Sequence, residues 1–369
     1  MGFGQPCVAT YMAKKHTLHD LAIAAKVSPA TVSRVVAGNP SVDPAIRQLV
    51  RKAAEKLGID LEERRKGKSR IIAFLLGNRD VLHSFQARIL LGAEAYCTQH
   101  NWELLFMSFR YTREIPPTAL HLPQLLSNRT NARAVILGGT NFPNLFQALH
   151  TRGIPFAVLG NNVEGEWEPN HCDVAYSDDV RGAFEATHHL IAKGHRVIGF
   201  IGNQQMPWFR RCASGYHRAM REAGLQPHEV DIRSDGNQLG YLATKSLVDR
   251  VPVTAILAGS DQVAAGVYSA LSELKISVPD QMSVVGFNDT AGALLNPQLT
   301  SVREFPEELG RHLAEFVLSR IQNPLGKARE LTIPTQLVQR DSVRVNAAAA
   351  LRTPARRPKS DNGDQAAAR

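Results

Sequence analysis

Cysteine is scarce in this 369-residue chain, and the four present, Cys7, Cys97, Cys172 and Cys212, form no CxxC pair and no Cys/His spacing suited to a metal. A disulfide framework and a structural zinc site are thereby excluded, and free thiols in a reducing compartment are expected. Long apolar runs are missing too. No stretch approaches the roughly 18 residues a membrane span needs, and the opening "MGFGQPCVATYMAKKH" lacks the apolar core of a secretory leader, with Met12 as suitable a start as Met1. Catalytic signatures are equally absent: there is no G-x-S-x-G, P-loop or HExxH, and no nucleophile stands beside an obvious base. The reading is a protein that is not an enzyme, with no cofactor and no metal, in the cytoplasm.

The formal net charge is +9, yet most of the chain contributes nothing to it. Residues 71–349 sum to −1, residues 11–70 carry thirteen Lys and Arg against six Asp and Glu, and the last twenty residues add +3. At a prior of about 100 to 200 residues per domain, two or three domains are expected. A small basic segment on a near-neutral body points to a polyanion, because cations that neutralise phosphates release condensed counterions. A solvated basic face is the alternative that charge alone leaves open.

What is present in that basic segment favours DNA. In "VSPATVSRVVAG", Val27 to Gly38, the residues Val32, Val35 and Val36 fall at i, i+3 and i+4 and share one face, with Ala30 and Arg34 opposite. Ser28 suits the N-cap, Pro29 the first helical position and Gly38 the stop. Upstream, "TLHDLAIAAK" places Leu18, Leu21, Ala22 and Ala25 on one stripe behind a Thr17 cap, leaving only Lys26 and Val27 before Ser28, a helix-turn-helix spacing. A third helix, "DPAIRQLVRKAAEKLG", starts from Asp43 and Pro44 and offers Ile46, Leu49, Val50, Ala53 and Leu57 as its buried stripe.

From residue 71 the pattern changes to short apolar runs alternating with helical segments: "IIAFLLG", "ELLFMSF", "AVILGG", "PFAVLG", "VIGFIG", "AILAGS" and "SVVGFN". Runs of this length bounded by Gly, Asn or Ser suit buried parallel strands. The helices between them are read at 85–100, 178–193, 210–223 and 262–274. Seven such units imply one very wide sheet or two, and the Asn-, Glu-, Gly- and Pro-rich stretch 160–173 breaks the series into two α/β subdomains with a cleft. Ligands of such sheets bind beyond the carboxyl ends of the strands, where Asn78, Thr140, Asn161, Asn162, Ser260, Asp261, Asn288 and Asp289 fall.

On the segments "TLHDLAIAAKVSPATVSRVVAG", "LIAKGHRVIGFIG", "AILAGSDQVAAGVYSAL", "ISVPDQMSVVGFND", "PQLTSV" and "LVQRDSV", in this order over residues 16–342, the sequence resembles the lactose-repressor and purine-repressor family of bacterial transcription regulators. The resemblance implies a homodimer whose paired heads read a pseudo-palindromic operator in double-stranded DNA, and a body of two doubly wound α/β subdomains of periplasmic-binding-protein-like type holding a small, sugar-like effector. It makes Pro29, Ala30 and Arg34 base readers, with Thr17, Ser28, Thr31 and Ser33 on phosphates. A surface ion pair is the alternative role for Arg34. For the effector it implies Asp261, Arg210 and Phe85, with Trp208 and Phe209 as an apolar wall. Asp261 as a helix N-cap and the two aromatics as packing beneath a loop are the other readings.

The expected organisation is a helix-turn-helix head at 16–58, a basic linker at 59–70, an effector-binding and dimerisation body at 71–345 and a disordered tail at 346–369. Three departures from the family pattern stand out. Gly160 stands where relatives carry an acidic ligand contact, Asp235 where they carry an aromatic one, and "GIDLEERRKGKSR" is shorter than the usual hinge. Leu61, Arg64, Arg65 and Lys66 are its candidate DNA contacts, against a disordered tether. The reading is a repressor associated with the nucleoid. A solute-binding protein, or a cytosolic sugar-modifying enzyme on the same scaffold, is the alternative.

Overall fold

The computed structural model describes residues 17–39, 41–59, 61, 69–79, 82–127, 131–168, 172–230 and 232–346. Arg64, Arg65 and Lys66 of the expected linker and the tail from residue 347 lie outside them. The chain falls into two units, a head within the first 70 residues and a body beyond it.

The head is three helices, α1 (Leu18–Ala25), α2 (Pro29–Val36) and α3 (Pro44–Lys56). Each starts on a side-chain cap. Thr17 and Asp20 form a reciprocal capping box, Ser28 Oγ accepts from Thr31 N at 3.0 Å, and Asp43 accepts from Ala45 N at 2.7 Å. Lys26, with φ 53°, adopts the left-handed conformation that ends α1 and turns the chain into α2. Leu21, Val32 and Val50 are fully buried at the common centre, with Ala22, Ala25, Val36, Ala53 and Ala54 around them. Two residues of the expected stripes are exposed: Leu18, 36% exposed in the first turn of α1, and Leu49, 53% exposed, for which Ala54 takes the buried position instead. At about 100° per residue, Val50, Ala53, Ala54 and Leu57 cluster on one side of α3, and Leu49 lies at its edge.

The body holds two lobes of like plan. The first has a six-stranded sheet in the order β11-β5-β4-β3-β1-β2, all parallel, from β1 (Ile71–Gly77), β2 (Glu103–Phe109), β3 (Ala134–Gly139), β4 (Phe156–Leu159), β5 (Asp173–Ser177) and β11 (Glu330–Ile333). Its helices are α4 (Ser84–Gln99), α5 (Gln124–Ser127), α6 (Pro143–Thr151) and α11 (Pro306–Gln322). The second sheet runs β12-β10-β9-β8-β6-β7, from β6 (Ile198–Ile201), β7 (His228–Glu229), β8 (Ala255–Ala258), β9 (Ser283–Asn288), β10 (Thr300–Arg303) and β12 (Gln336–Val338), with β12 antiparallel to β10. It carries α7 (Asp179–Ala192), α8 (Pro207–Glu222), α9 (Gly236–Arg250) and α10 (Asp261–Glu273). Two sheets, not one wide one, absorb the seven apolar runs.

Both lobes share the doubly wound order 2-1-3-4-5 of their first five strands, which puts a crevice at the carboxyl ends of β1 and β3 in one and of β6 and β8 in the other. Neither lobe is continuous in sequence. The chain passes from the first lobe to the second after β5, returns after β10 to lay down α11 and β11, and crosses again into β12. The returning helix is no decoration: Leu309, Leu313 and Val317 of α11 pack with Phe74, Ile89 and Ile136 in the first-lobe core. Gly92 and Gly310 let α4 and α11 approach backbone to backbone, since a Cβ on either would sit 2.0 Å from a carbonyl oxygen of the other helix. Asp173, fully buried in β5, is held by Arg320 of α11 at 2.8 Å and by Arg329 at 3.1 Å, fastening the return.

Candidate DNA-reading face and effector cavity

On the head, α2 turns Val32 and Val36 inward and leaves Pro29, Ala30, Ser33 and Arg34 exposed, as the spacing of the valines requires. Ser28 is exposed and Thr31 half-buried, their hydroxyls 2.8 Å apart at the helix start, and Thr17 is exposed at the start of α1. All seven candidate DNA-contacting residues therefore belong to two helix N-termini and one outward helix face. The backbone N–H groups and partial positive charge of such termini suit phosphate oxygens. Leu61, the one described residue of the expected linker contacts, is half-buried and packs against the head core with Val35, Leu57 and Ile59.

In the body, a cavity opens at the facing carboxyl ends of the two sheets. The first lobe contributes Arg79, His83, Ser84, Phe85, Gln86, Asn161 and Asn162, from the loops after β1 and β4 and the start of α4. The second contributes Asp179, Trp208, Phe209, Cys212, Asp235, Ser260, Gln262, Phe287, Asn288 and Thr290, and Glu304 lies on the crossover between β10 and α11.

Of the residues expected here, Phe85, Trp208 and Phe209 line the cavity. Phe209 is also a core residue of the second lobe, 1% exposed. Arg210 is not brought in. It is exposed on α8, while its neighbour Arg211, about 100° further round the helix, is half-buried and bonded to the lining residue Asp179 without lining the cavity itself. Arg211 Nε donates to both carboxylate oxygens of Asp179, at 2.8 and 3.0 Å, with its guanidinium 5.5 Å from the Tyr176 ring centroid. Asp261 is not a lining residue either. Fully buried at the first position of α10, it accepts from Ser301 Oγ at 2.5 Å and from Ala291 N at 2.9 Å, while Ser260 supplies the N-cap by accepting from Val263 N. The cap expected of Asp261 thus belongs to the residue before it.

The structure also explains two of the sequence's oddities. A Cβ at Gly160 would lie 2.1 Å from the Tyr176 ring, so the ring takes the space a side chain would need. Asp235 caps α9, accepting from Gly236 N at 2.7 Å, and turns its second oxygen toward Arg79 and His83.

Glu304 and Asp179 are the cavity's buried acids, and neither was singled out from the sequence. Burial pushes Glu304 up to about 8, with Asp179 and Asp261 adding to the rise and the Ser177 hydroxyl and Arg211 working against it. Burial likewise raises Asp179, against the pull of Arg211 and Asn161. A strand ending at Ser177 would have drawn attention to Asp179, but "DVAYS" carries a charge and too few apolar residues to read as one. No group of His, Cys, Asp and Glu fit to hold a metal occurs among the described residues. Cys97, Cys172 and Cys212 are free and buried, and burial lifts the first two to about 12. No described helix is long and apolar enough to cross a membrane.

Comparison with known proteins bears on both sites at once. Residues 17–59 match the family described as bacterial regulatory proteins, lacI family, and residues 187–343 match a periplasmic binding protein-like domain. The two matches lie in the order that lacI-family regulators carry them, and similar proteins along the chain are regulators of that kind. They include the HTH-type transcriptional repressor CytR of Escherichia coli K12, 27% identical over 89% of this chain and 96% of the relative. Catabolite control protein A of Priestia megaterium is 29% identical over 83% of this chain and 92% of its own. A solved complex of the transcriptional regulator CelR with cellobiose superposes with a TM-score of 0.65 at 26% identity, covering 89% of this chain and all of that one.

Proposed function

We propose that this protein is a sequence-specific DNA-binding transcriptional regulator of the lacI family, a repressor, whose operator affinity changes when a small carbohydrate-like effector occupies the body's cavity. The observation that carries the reading is the outward face of α2: a capped, eight-residue helix presenting Pro29, Ala30, Ser33 and Arg34 on a basic head. Arg34 suits a guanine edge in the major groove, a contact that discriminates by roughly 1 to 3 kcal/mol when bidentate. Thr17, Ser28, Thr31 and Ser33 take phosphates, fixing register without reading sequence. The basic residues of the linker add phosphate contacts.

The cavity suits a compact polar ligand with one flat face. Asn162, Asn288, Thr290 and Ser84 offer hydroxyls and amides, and Trp208 and Phe85 offer aromatic walls. The cellobiose held by CelR makes a saccharide the first candidate. Because only three chain crossings join the lobes, ligand that prefers one lobe arrangement shifts the population toward it, and operator affinity follows by linkage. A pseudo-palindromic operator calls for a dimer, and the edge strand β2 with α4 exposes Leu105, Phe106 and Leu91 to a second copy.

Selection of bound DNA from a random pool, run with the full chain and with Arg34→Ala, tests the reading. A pseudo-palindromic site is expected from the first, and loss of preference at one base pair per half-site from the second. Failure to enrich any sequence would reject a specific DNA-binding role, and an unchanged preference would remove Arg34 as a reader.

A further inference from the structure

Three contacts cross the cavity mouth from one lobe to the other, and they meet on one pair of residues. Arg79 stands two residues beyond the end of β1, in the first lobe, and its guanidinium carbon lies 4.6 Å from the ring centroid of Trp208, in the first turn of α8 of the second lobe. Its Nη2 is 3.7 Å from Oδ2 of Asp235, the cap of α9, also of the second lobe. His83 Nε2 reaches the same oxygen at 4.0 Å. The Arg79 side chain is only 13% exposed, although it belongs to a loop between a strand and a helix. We propose that Arg79 is a clasp: seated on Trp208 and against Asp235, it holds the two lobes together across the cavity mouth before any effector arrives.

The geometry of the seat is selective for this side chain. A planar guanidinium stacks on an indole face and still directs N–H groups sideways to a carboxylate, which an ammonium on a flexible stem does less well. The crossings after β5, after β10 and after β11 are the covalent connections between the lobes in the described chain, so a non-covalent contact of Arg79 with Trp208 and Asp235 adds a separate restraint on their relative rotation. Asp235 carries two duties with its two oxygens: one caps α9 through Gly236 N and the other faces Arg79. Burial and the nearby Arg79 lower the pKa of His83, so the ring leaves the charge at this point to Arg79. Trp208 and Arg79 both line the cavity, and an effector that packs on the indole must therefore take the place of the guanidinium or slide beneath it. The clasp sets the resting state that an effector has to work against, a step beyond naming the cavity as an effector site.

The test needs no effector. Spin labels on Glu114→Cys in the first lobe and Leu294→Cys in the second, both exposed positions, report the lobe separation in the full chain carrying Cys7→Ser; the native Cys97, Cys172 and Cys212 are buried. Diluting labelled chain into unlabelled chain keeps the measured pairs within one protomer. A single narrow distance distribution is expected with Arg79 in place, and a broadened one with a second population for Arg79→Ala. Arg79→Lys should fall between them. Asp235→Asn, which keeps a good helix cap but removes the charge, should broaden the distribution less than Arg79→Ala because the stack on Trp208 remains. Unchanged helical content by circular dichroism shows that the variants fold. An Arg79→Ala distribution that coincides with that of the intact clasp would overturn the proposal.

Discussion

Arg211 Nε lies 2.8 Å from Oδ1 and 3.0 Å from Oδ2 of Asp179, so one donor serves both oxygens of a carboxylate whose side chain is 3% exposed. Asn161 Nδ2 and Val180 N complete the carboxylate's partners. The pair joins α7 to α8 immediately after the first lobe-to-lobe crossing. Removing the arginine leaves a buried charge with amide partners only. Arg211→Ala is expected to destabilise the body by about 1 to 3 kcal/mol, the arginine's partial exposure keeping the loss below that of a fully buried pair. Asp179→Asn added to Arg211→Ala should recover part of it, and a double-mutant cycle in denaturant unfolding measures the recovery. Additive losses would show that the two residues are not coupled.

Glu304 predicts a pH dependence of definite sign. Its pKa rises from an ordinary 4.5 to about 8 on folding, chiefly through burial. Between those values the native chain holds a proton that the unfolded chain has released, so this group's contribution to stability falls as pH rises. Below 4.5 both states are protonated and above about 8 neither is, so the slope is confined to that window. Glu304→Gln keeps the neutral shape without the proton. Its stability relative to the unsubstituted chain should climb from pH 5 to pH 8 and level off beyond, in unfolding curves taken across that range. Parallel curves would mean that Glu304 ionises as in water.

In the head, stability rests on few side chains. Ser28→Ala removes the oxygen that accepts from Thr31 N and should cost about 1 kcal/mol. Val32→Ala opens the centre of a core whose valine is fully buried, at about 2 kcal/mol. Hydrogen exchange of the α1 and α2 amides in the full chain reads both: about fivefold faster for the first and more for the second, with body amides unaffected.

The sequence exposed local order well and long-range order poorly, for reasons that particular residues make plain. Caps and i, i+3, i+4 spacing located the starts of α1 and α2 to the residue, because their determinants lie within one turn. All seven apolar runs became strands, six of them largely buried and the seventh, β2, an edge strand that leaves Leu105 and Phe106 exposed. By contrast β11 pairs with β5 through Glu330 and Val174, far apart in the chain, and neither segment is apolar enough to announce itself. The helices α6, α9 and α11 lay in stretches assigned to no element. In the cavity, Phe85, Trp208 and Phe209 fall among the lining residues, whereas Arg210 lies exposed outside it, because a motif match fixes a neighbourhood and helical phase fixes the side chain. Asp261 shows the reverse case: a carboxylate in the expected place whose oxygens are committed to Ser301 and Ala291. Arg79 and Glu304 stayed hidden because their significance comes from partners on other elements.

The return of α11 and β11 to the first lobe bears on how the molecule is made. During synthesis the segment from Ile71 to Ser177 emerges with five strands of its sheet but without Leu309, Leu313 and Val317 to cover Phe74 and Ile89, and without Arg320 and Arg329 to neutralise the buried Asp173. Five strands of the second lobe, β6 to β10, are translated before those residues appear, and only β12 follows them. The apolar face of the lobe nearer the amino terminus must therefore wait, exposed to other nascent chains, until residue 333 has been made. Selection on codon usage or chaperone contact would act on that interval, leaving the finished contacts untouched.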